Sequence, residues 1–348
     1  MNEENWHLRI GVTSKCNFEC VYCSSSKMRS NESDVPSADL INLIEAAHRN
    51  GITRIHWTGG EPTVREDLPR LMAAARDIGI TQQVITTNGD AFLEKADELI
   101  KSGLSRVIIS IDTLKRERFK ELTGRDSLDK VLKTIEYCVS NLDSLTKLSI
   151  VTMKTTLSEI EDFFEYAYEV NHKGYRGKLA LKFNQFFPCN PNQLLDEGID
   201  YWAGEYVDEE EILNTFKSYS KLIPVDRRVI AGDNPTYDYY YAEKYDLTIA
   251  LLSLYSKEYI CGRCHKLRVQ PFGALSYCLN QEKTYPFMGK TVDEMSELIA
   301  ELMTQREKLD ESQPDRKHFR GQLGELRFGA NSAVSAKRIE DYEAALKK

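Results

Sequence analysis

His7-Leu-Arg-Ile-Gly-Val-Thr13-Ser-Lys-Cys16-Asn-Phe-Glu-Cys20-Val-Tyr-Cys23 sets three cysteines in C-x3-C-x2-C spacing directly after a short apolar run. Residues 7–13 alternate polar and apolar and read as a strand, so the cysteines lie in the loop that leaves it. Outward from there, strand-like runs at 54–58, 83–87, 106–111, 147–152 and 178–184 alternate with helical patterns at 37–49, 65–77, 91–101, 116–122, 127–139 and 158–169. In the first of these helices Leu40, Ile41, Ile44 and Ala47 share one face. Alternating strands and helices imply parallel pairing through right-handed crossovers. Six units fall short of a closed eightfold barrel, so the expected fold is α/β, an open, TIM-like (β/α)6 partial barrel. Glycines and polar residues gather after the strands, the end at which barrels carry their active sites.

Past Pro188 the pattern changes. Residues 189–208 are irregular, the acids of 208–211 suit the start of a helix, 224–241 reads as a tyrosine-rich loop, and a helical tail follows 278. The expected organisation is a barrel over 1–190 and a smaller C-terminal domain over 191–348. The 348 residues suffice for both. A hydrophobic fraction of 41% with 29% charged residues is that of an ordinary globular protein, and a formal charge of −8 argues against broad nucleic-acid binding. No apolar run approaches the roughly 18 residues of a membrane span, and residues 1–6 lack a secretory pattern, so a cytoplasmic protein is expected.

Of the eight cysteines, 16, 20, 23, 138, 189, 261, 264 and 278, six fall into two tight groups. In a reducing compartment such groups mean metal binding or catalysis before disulfides. Three thiolates on a four-iron cube leave one iron without a protein ligand, open to a small chelate. The amino and carboxylate groups of S-adenosylmethionine (SAM) suit that position, and an electron from the cluster then breaks the sulfonium to release a 5′-deoxyadenosyl radical. Zinc is the competing reading, but no fourth ligand follows Cys23 at finger-like spacing. Further along, Thr58-Gly59-Gly60-Glu61-Pro62 ends the second strand, Thr87-Asn88-Gly89 the third and Ser110-Ile111-Asp112 the fourth. Paired glycines allow close backbone approach, and Glu61 can take the methionine ammonium charge. Singly, each motif is an ordinary turn; at successive strand ends they outline one pocket.

These residues resemble the radical SAM superfamily and, within it, the GTP 3′,8-cyclases of molybdenum-cofactor biosynthesis. The likeness rests on Leu8-Arg9-Ile10, the cysteine triad, Thr58–Pro62, Ser110-Ile111-Asp112-Thr113-Leu114 and Leu122-Thr123-Gly124-Arg125. The resemblance implies that Gly59, Gly60, Glu61, Asn88 and Ser110 contact SAM, that Tyr22 lies near its adenine, and that a flavodoxin- or ferredoxin-type donor supplies the electron.

Cys261-Gly-Arg-Cys264-His265 and Cys278 form C-x2-C-x13-C. Haem attachment, a Cys3His zinc site with His265, free thiols and a second [4Fe–4S] cluster are the readings of this spacing. The family likeness, with Lys266, Arg268 and Gly273 following the second cysteine, implies the last. Cys138 falls in a helical pattern and reads as core, whereas Cys189 is either buried, a redox partner or a fourth ligand to the second cluster. For substrate, the resemblance implies positive charge at Arg9, Arg54, Lys147 and Arg268. His56, Lys182, Lys266 and Ala274 stand where it implies arginine, Asn184-Gln185 replaces an apolar–glutamate pair, and the family's Gly-Gly tail is not matched by Glu343–Lys348. Lysine keeps charge but loses the bidentate fork. The sequence therefore predicts weak GTP binding and a radical SAM enzyme acting on a small anionic or nucleotide-like substrate. GTP 3′,8-cyclisation ranks second, peptide modification third, and a non-enzymatic iron–sulfur regulator is disfavoured by the full motif set.

Overall fold

In the computed structural model, which describes residues 6–23, 33–186, 201, 204–226, 236–253, 264–278 and 283–312, six strands pair in parallel in chain order. They are β1 (His7–Gly11), β2 (Arg54–Thr58), β3 (Gln82–Thr87), β4 (Leu104–Ser110), β5 (Leu145–Thr152) and β6 (Lys178–Gln185). Between them run α1 (Ser37–Arg49), α2 (Leu68–Ile78), α3 (Ala96–Lys101), α4 (Arg116–Thr123), α5 (Leu128–Asn141) and α6 (Ile160–His172). This is the α/β arrangement read from the sequence, with bounds shifted by a few residues.

Alternation along each strand sorts the side chains. Leu8, Ile10, Ile55, Trp57, Ile85, Val107, Ile109, Leu148, Ile150, Leu181 and Phe183 face the helices and are at most 2% exposed. They meet helical residues at i, i+3 and i+4 spacing, such as Leu40, Leu43, Ile44 and Ala47 of α1 and Val131, Ile135 and Cys138 of α5. Cys138 is thus core, and Ile41 is only partly covered. Each such side chain contributes about 1.5–3 kcal/mol on burial. The other face carries Arg9, His56, Arg106, Lys147 and Lys182. Lys182 on β6 feels the charges of Arg9 on β1 and Lys266 beyond it. Strands so far apart in the sheet meet only because the sheet curls around a lumen.

The C-terminal strands were not legible as strands, and they correct the reading of 224–241 as a loop. β7 (Leu222–Val225), β8 (Asp238–Ala242) and β9 (Leu247–Leu252) form an antiparallel meander whose last strand joins β6 in parallel. Pro224 is tolerated because β7 lies at the sheet edge. On the other side β10 (Lys266–Gln270) joins β1 in parallel and carries β11 (Ala274–Ser276) and β12 (Tyr285–Pro286). Among the described residues one twelve-stranded sheet therefore crosses the boundary expected at residue 190. The acidic run opens α7 (Glu209–Tyr219) as expected, with Asp208 accepting from the Glu211 N–H at 2.8 Å. The tail helix α8 (Val292–Ser312) buries Met295, Ile299 and Leu302 and is tied to α1 where Asn50 Nδ2 donates to Ser296 O at 3.1 Å.

Candidate active site

The cysteine loop is held by backbone, which explains why its motif partners are glycine and threonine. Val12 N donates to Thr58 O at 2.8 Å, Gly60 N to Thr13 O at 2.7 Å and Glu61 N to Lys15 O at 2.8 Å. A Cβ on Gly60 would stand 2.1 Å from Lys15 O, and one on Gly59, at φ +152°, 2.5 Å from Thr13 O. Only glycine allows that approach. On the far side Glu19 N and Val21 N donate to Thr123 O and Leu122 O, both at 2.9 Å, and Arg125 Nε donates to Asn17 O at 2.9 Å. The Leu122–Arg125 stretch is thus a cradle for the loop. Cys16, Cys20 and Cys23 are half-exposed and none is in a disulfide.

Glu61 is 1% exposed. Its Oε1 accepts from Thr63 N (3.0 Å), Thr63 Oγ1 (2.6 Å) and Thr87 Oγ1 (2.7 Å), and Oε2 from Asn88 N (2.6 Å). Burial pushes its pKa up against the pull of these donors. Asn88 Nδ2 in turn donates to Asn17 Oδ1 at 2.7 Å, and Asn17 Nδ2 to Asp90 Oδ2 at 2.8 Å. The side chains of Glu61 and Asn88 thereby tie the ends of β2 and β3 to the cysteine loop. Tyr22 makes a third tie. Its hydroxyl donates to Asp112, whose other oxygen accepts from Val151 N at 2.7 Å, and its ring meets Phe186 edge-on at 6.0 Å. Burial pushes Asp112 up to about 6 and raises the Tyr22 hydroxyl. Burial also raises the Cys20 thiol, with Cys23, Asp112 and Cys16 adding to it.

Below this mouth the lumen is lined by basic side chains. Pairing aligns Arg268, Arg9 and His56, and two steps away Lys266, His7 and Arg54. Lys147 comes from β5 and Lys182 from β6, and Ser110 of β4 is in register with Ser149. Burial lowers His7, His56 and Lys182 well below their usual values, and the neighbouring arginines and lysines lower them further. Lys266 falls to about 8, by burial first, with Cys264 opposing and Arg268, Arg9 and Arg54 adding. Arg54 sits at the rim, its Nε donating to Gln82 Oε1 at 2.9 Å. All seven lumen residues expected from the sequence come together. His7 and Arg106 join them and were missed, although alternation from Arg9 and from Ser110 identifies both. Tyr237, whose hydroxyl donates to Asn184 Oδ1 at 2.8 Å, was missed because the strand after it was read as loop.

A profile of the radical SAM superfamily matches residues 10–167. The GTP 3′,8-cyclase of Clostridium perfringens (strain SM101) is 31% identical over 278 residues, covering 79% of this chain and 80% of the relative. This chain belongs to the radical SAM superfamily, in the family of the GTP 3′,8-cyclases. The molybdenum cofactor biosynthesis protein moc-5 of Caenorhabditis elegans is 26% identical, across 87% of this chain and 49% of its own length. Among solved structures, SuiB of Streptococcus suis bound to SAM aligns with TM-score 0.61 at 17% identity, covering 83% of this chain and 65% of its own. Native anSMEcpe with bound AdoMet and Kp18Cys peptide aligns with TM-score 0.59 at 17% identity over 98% of this chain and 99% of its own. Both show the fold that radical SAM enzymes share.

The superfamily implies a [4Fe–4S] cluster and SAM, and the residue types at the mouth are those that would hold them, although among the described residues no three His, Cys, Asp or Glu side chains are grouped as for a metal ion. Cys16, Cys20 and Cys23 are three thiols on one pinned loop, the donor set that leaves an iron open. Reductive cleavage of SAM is the chemistry the pair supplies when bound. The three sulfurs would be held in place by the glycine and Leu122–Arg125 cradles, with Tyr22 fixed on Asp112 beside them. Of the second group, Cys264 lies just before β10 and Cys278 just after β11, so the antiparallel hairpin brings them to one end. That end adjoins the start of β1, where His7 N donates to His265 O at 3.1 Å, opposite the end that leads to Cys16. Cys261 and Cys189 lie outside the described residues. Among the described residues no helix is long and apolar enough to cross a membrane.

Proposed function

We propose that this radical SAM enzyme acts on a nucleotide carrying several phosphates. The phosphates sit among the lumen cations, and the radical released from SAM at the mouth abstracts a hydrogen atom from the sugar or base above them. The carrying observation is the lumen itself: Arg9, Arg54, His56, Arg106, Lys147, Lys182, Lys266 and Arg268 project into one chamber, where burial first and neighbouring positive charge second lower His56, Arg106, Lys182 and Lys266. A chamber this cationic calls for a polyanion rather than a single carboxylate. GTP is the first candidate, since sequence relatives over most of the chain are GTP 3′,8-cyclases. The expectation of weak GTP binding counted His56, Lys182, Lys266 and Ala274 in place of arginine and the unmatched Gly-Gly tail, but omitted His7 and Arg106. A less charged nucleotide is the second reading, favoured by the lysine at 182 and the amide at 184.

At the other end of the lumen, Cys264 and Cys278, with Cys261, are suited to hold a second [4Fe–4S] cluster facing the substrate from below. The test is anaerobic incubation of the reconstituted enzyme with SAM, reductant and GTP, GDP, GMP or guanosine, reading 5′-deoxyadenosine and new nucleotide products by mass spectrometry. The reading expects GTP to stimulate SAM cleavage and yield a cyclised nucleotide. Product only from the less phosphorylated compounds selects the second reading, and stimulation by none of them overturns both.

A further inference from the structure

Between the mouth and the basic chamber the lumen carries a patch of neutral polar groups. Asn184 of β6 is in register with Val151 of β5, whose N–H holds Asp112 and, through it, Tyr22 of the cysteine loop. Two residues down the same strands and on the same face stand Lys182 and Ser149, and Lys147 lies a further step below Ser149. Asn184 Nδ2 donates to Ser149 Oγ at 3.1 Å and to Ile150 O at 3.2 Å, and its Oδ1 accepts from the Tyr237 hydroxyl at 2.8 Å. Because Ile150 O can only accept, it fixes which end of the amide faces which way. The Tyr237 ring packs in a small apolar cluster with Tyr239 and Ala250. Lys182 Nζ stands 5.1 Å from the centroid of that ring and 3.5 Å from Ser149 Oγ. Ser149 and Asn184 are half-buried, and Tyr237 is 4% exposed.

We propose that Ser149, Asn184 and Tyr237 hold the sugar of the substrate through its hydroxyl groups, and that Asn184 sets a preference for ribose over deoxyribose. Ser149 Oγ, accepting from Asn184 and Lys182, still has a proton to donate, while Asn184 Oδ1 and the Tyr237 oxygen each keep a lone pair. The group that matches this set both donates and accepts and carries no charge, as an alcohol does. A phosphate would set its own oxygens against the two acceptors. An apolar surface would leave the donor and the acceptors desolvated and unpaired, which is unfavourable for each. Phosphates among the basic groups below put the sugar of a nucleotide at this level, under Tyr22. The apolar residue that the family likeness implies at 184 supplies no such group, so the amide is a feature of this chain. The inference rests on the nucleotide reading of the substrate.

The test is anaerobic titration calorimetry of the reconstituted holoenzyme with GTP, 2′-deoxyGTP, 3′-deoxyGTP and inorganic triphosphate. Wild type is expected to bind GTP about tenfold or more tightly than at least one of the two deoxynucleotides. Ligands that differ by one hydroxyl, compared across proteins that differ by one side chain, isolate the contact between the two. In Asn184→Leu the preference is expected to fall to within about twofold, with triphosphate affinity retained. Tyr237→Phe removes a single oxygen and is expected to reduce the preference part-way; it carries the test alone if Asn184→Leu does not take up its clusters. Equal affinity of wild type for all three nucleotides, or the same preference in wild type and the variants, overturns this inference alone. So does a loss of triphosphate affinity in the variants as large as their loss of GTP affinity. Failure of wild type to bind GTP overturns the substrate reading and this inference with it.

Discussion

The two ends of the barrel interior are built from opposite chemistry. At the mouth, burial raises the Cys20 thiol, Tyr22 and Asp112, so it favours their protonated forms. In the lumen, burial and the neighbouring basic groups lower the proton affinity of Lys182, His56 and His7. On the proposed function, each region is completed by what it binds: iron and a sulfonium at the mouth, an anion within. The mouth is also rigid through backbone, while the lumen is shaped by long side chains. Binding at the two ends should therefore respond to different perturbations.

The largest contrast comes from Cys16, Cys20 or Cys23→Ala. Each is expected to remove SAM cleavage altogether while the lumen still binds triphosphate, measured by 5′-deoxyadenosine release beside calorimetry. Residual cleavage would break the division between the two ends. Gly60→Ala comes next, because its Cβ lands 2.1 Å from Lys15 O in backbone that cannot yield cheaply. A loss of about 3 kcal/mol in urea unfolding is expected, together with reduced iron binding after reconstitution. Full iron retention would show that the loop is less fixed than its hydrogen bonds indicate. Arg9→Met should weaken triphosphate binding by about 2–3 kcal/mol and flatten its salt dependence while leaving iron content alone.

The smallest effect separates the ends by pH. Asp112 is pushed up to about 6, so its contribution to stability is present below the unfolded carboxylate range and is lost as pH rises through 6. Lowering pH from 8 to 5 should stabilise wild-type apoprotein relative to Asp112→Asn by up to about 2 kcal/mol. His56 has the reverse sign. Its folded pKa lies below the usual value, so stability is lost as pH falls below the unfolded histidine range, and His56→Gln should blunt that acid loss. Denaturant midpoints across pH for the two variants check both. Parallel curves for the two would mean that burial at the two ends does not act in opposite senses.

How much of this could be read in the sequence depended on whether the signal was local. The six strands were legible because each has a complete two-residue alternation and a helix of its own beside it. β7, β8 and β10 were not: all three are short, the partner of β10 is β1 far back in the chain, and Pro224 in β7 and the tyrosines around β8 read as loop. The cysteine spacing announced a cluster site without help from the fold. What Glu61 does was hidden, because a carboxylate suited to an ammonium ion proves to have four protein donors around it. His7 and Arg106 were hidden in plain alternation, two and four residues from positions already singled out.

The pairing of β1 with β10 carries a consequence for how the chain is made. β1, beginning at His7, finds its neighbour on one side only when residue 266 has been synthesised. At about 5–20 residues per second, that leaves roughly 15–50 s in which the β1 edge is uncovered on the ribosome. During that interval β2 already flanks β1 and the glycine cradle for the cysteine loop can form, while the wall bearing Lys266 and Arg268 does not yet exist. The order of synthesis thus makes the glycine cradle of the cysteine loop available before the wall of the lumen that bears Lys266 and Arg268.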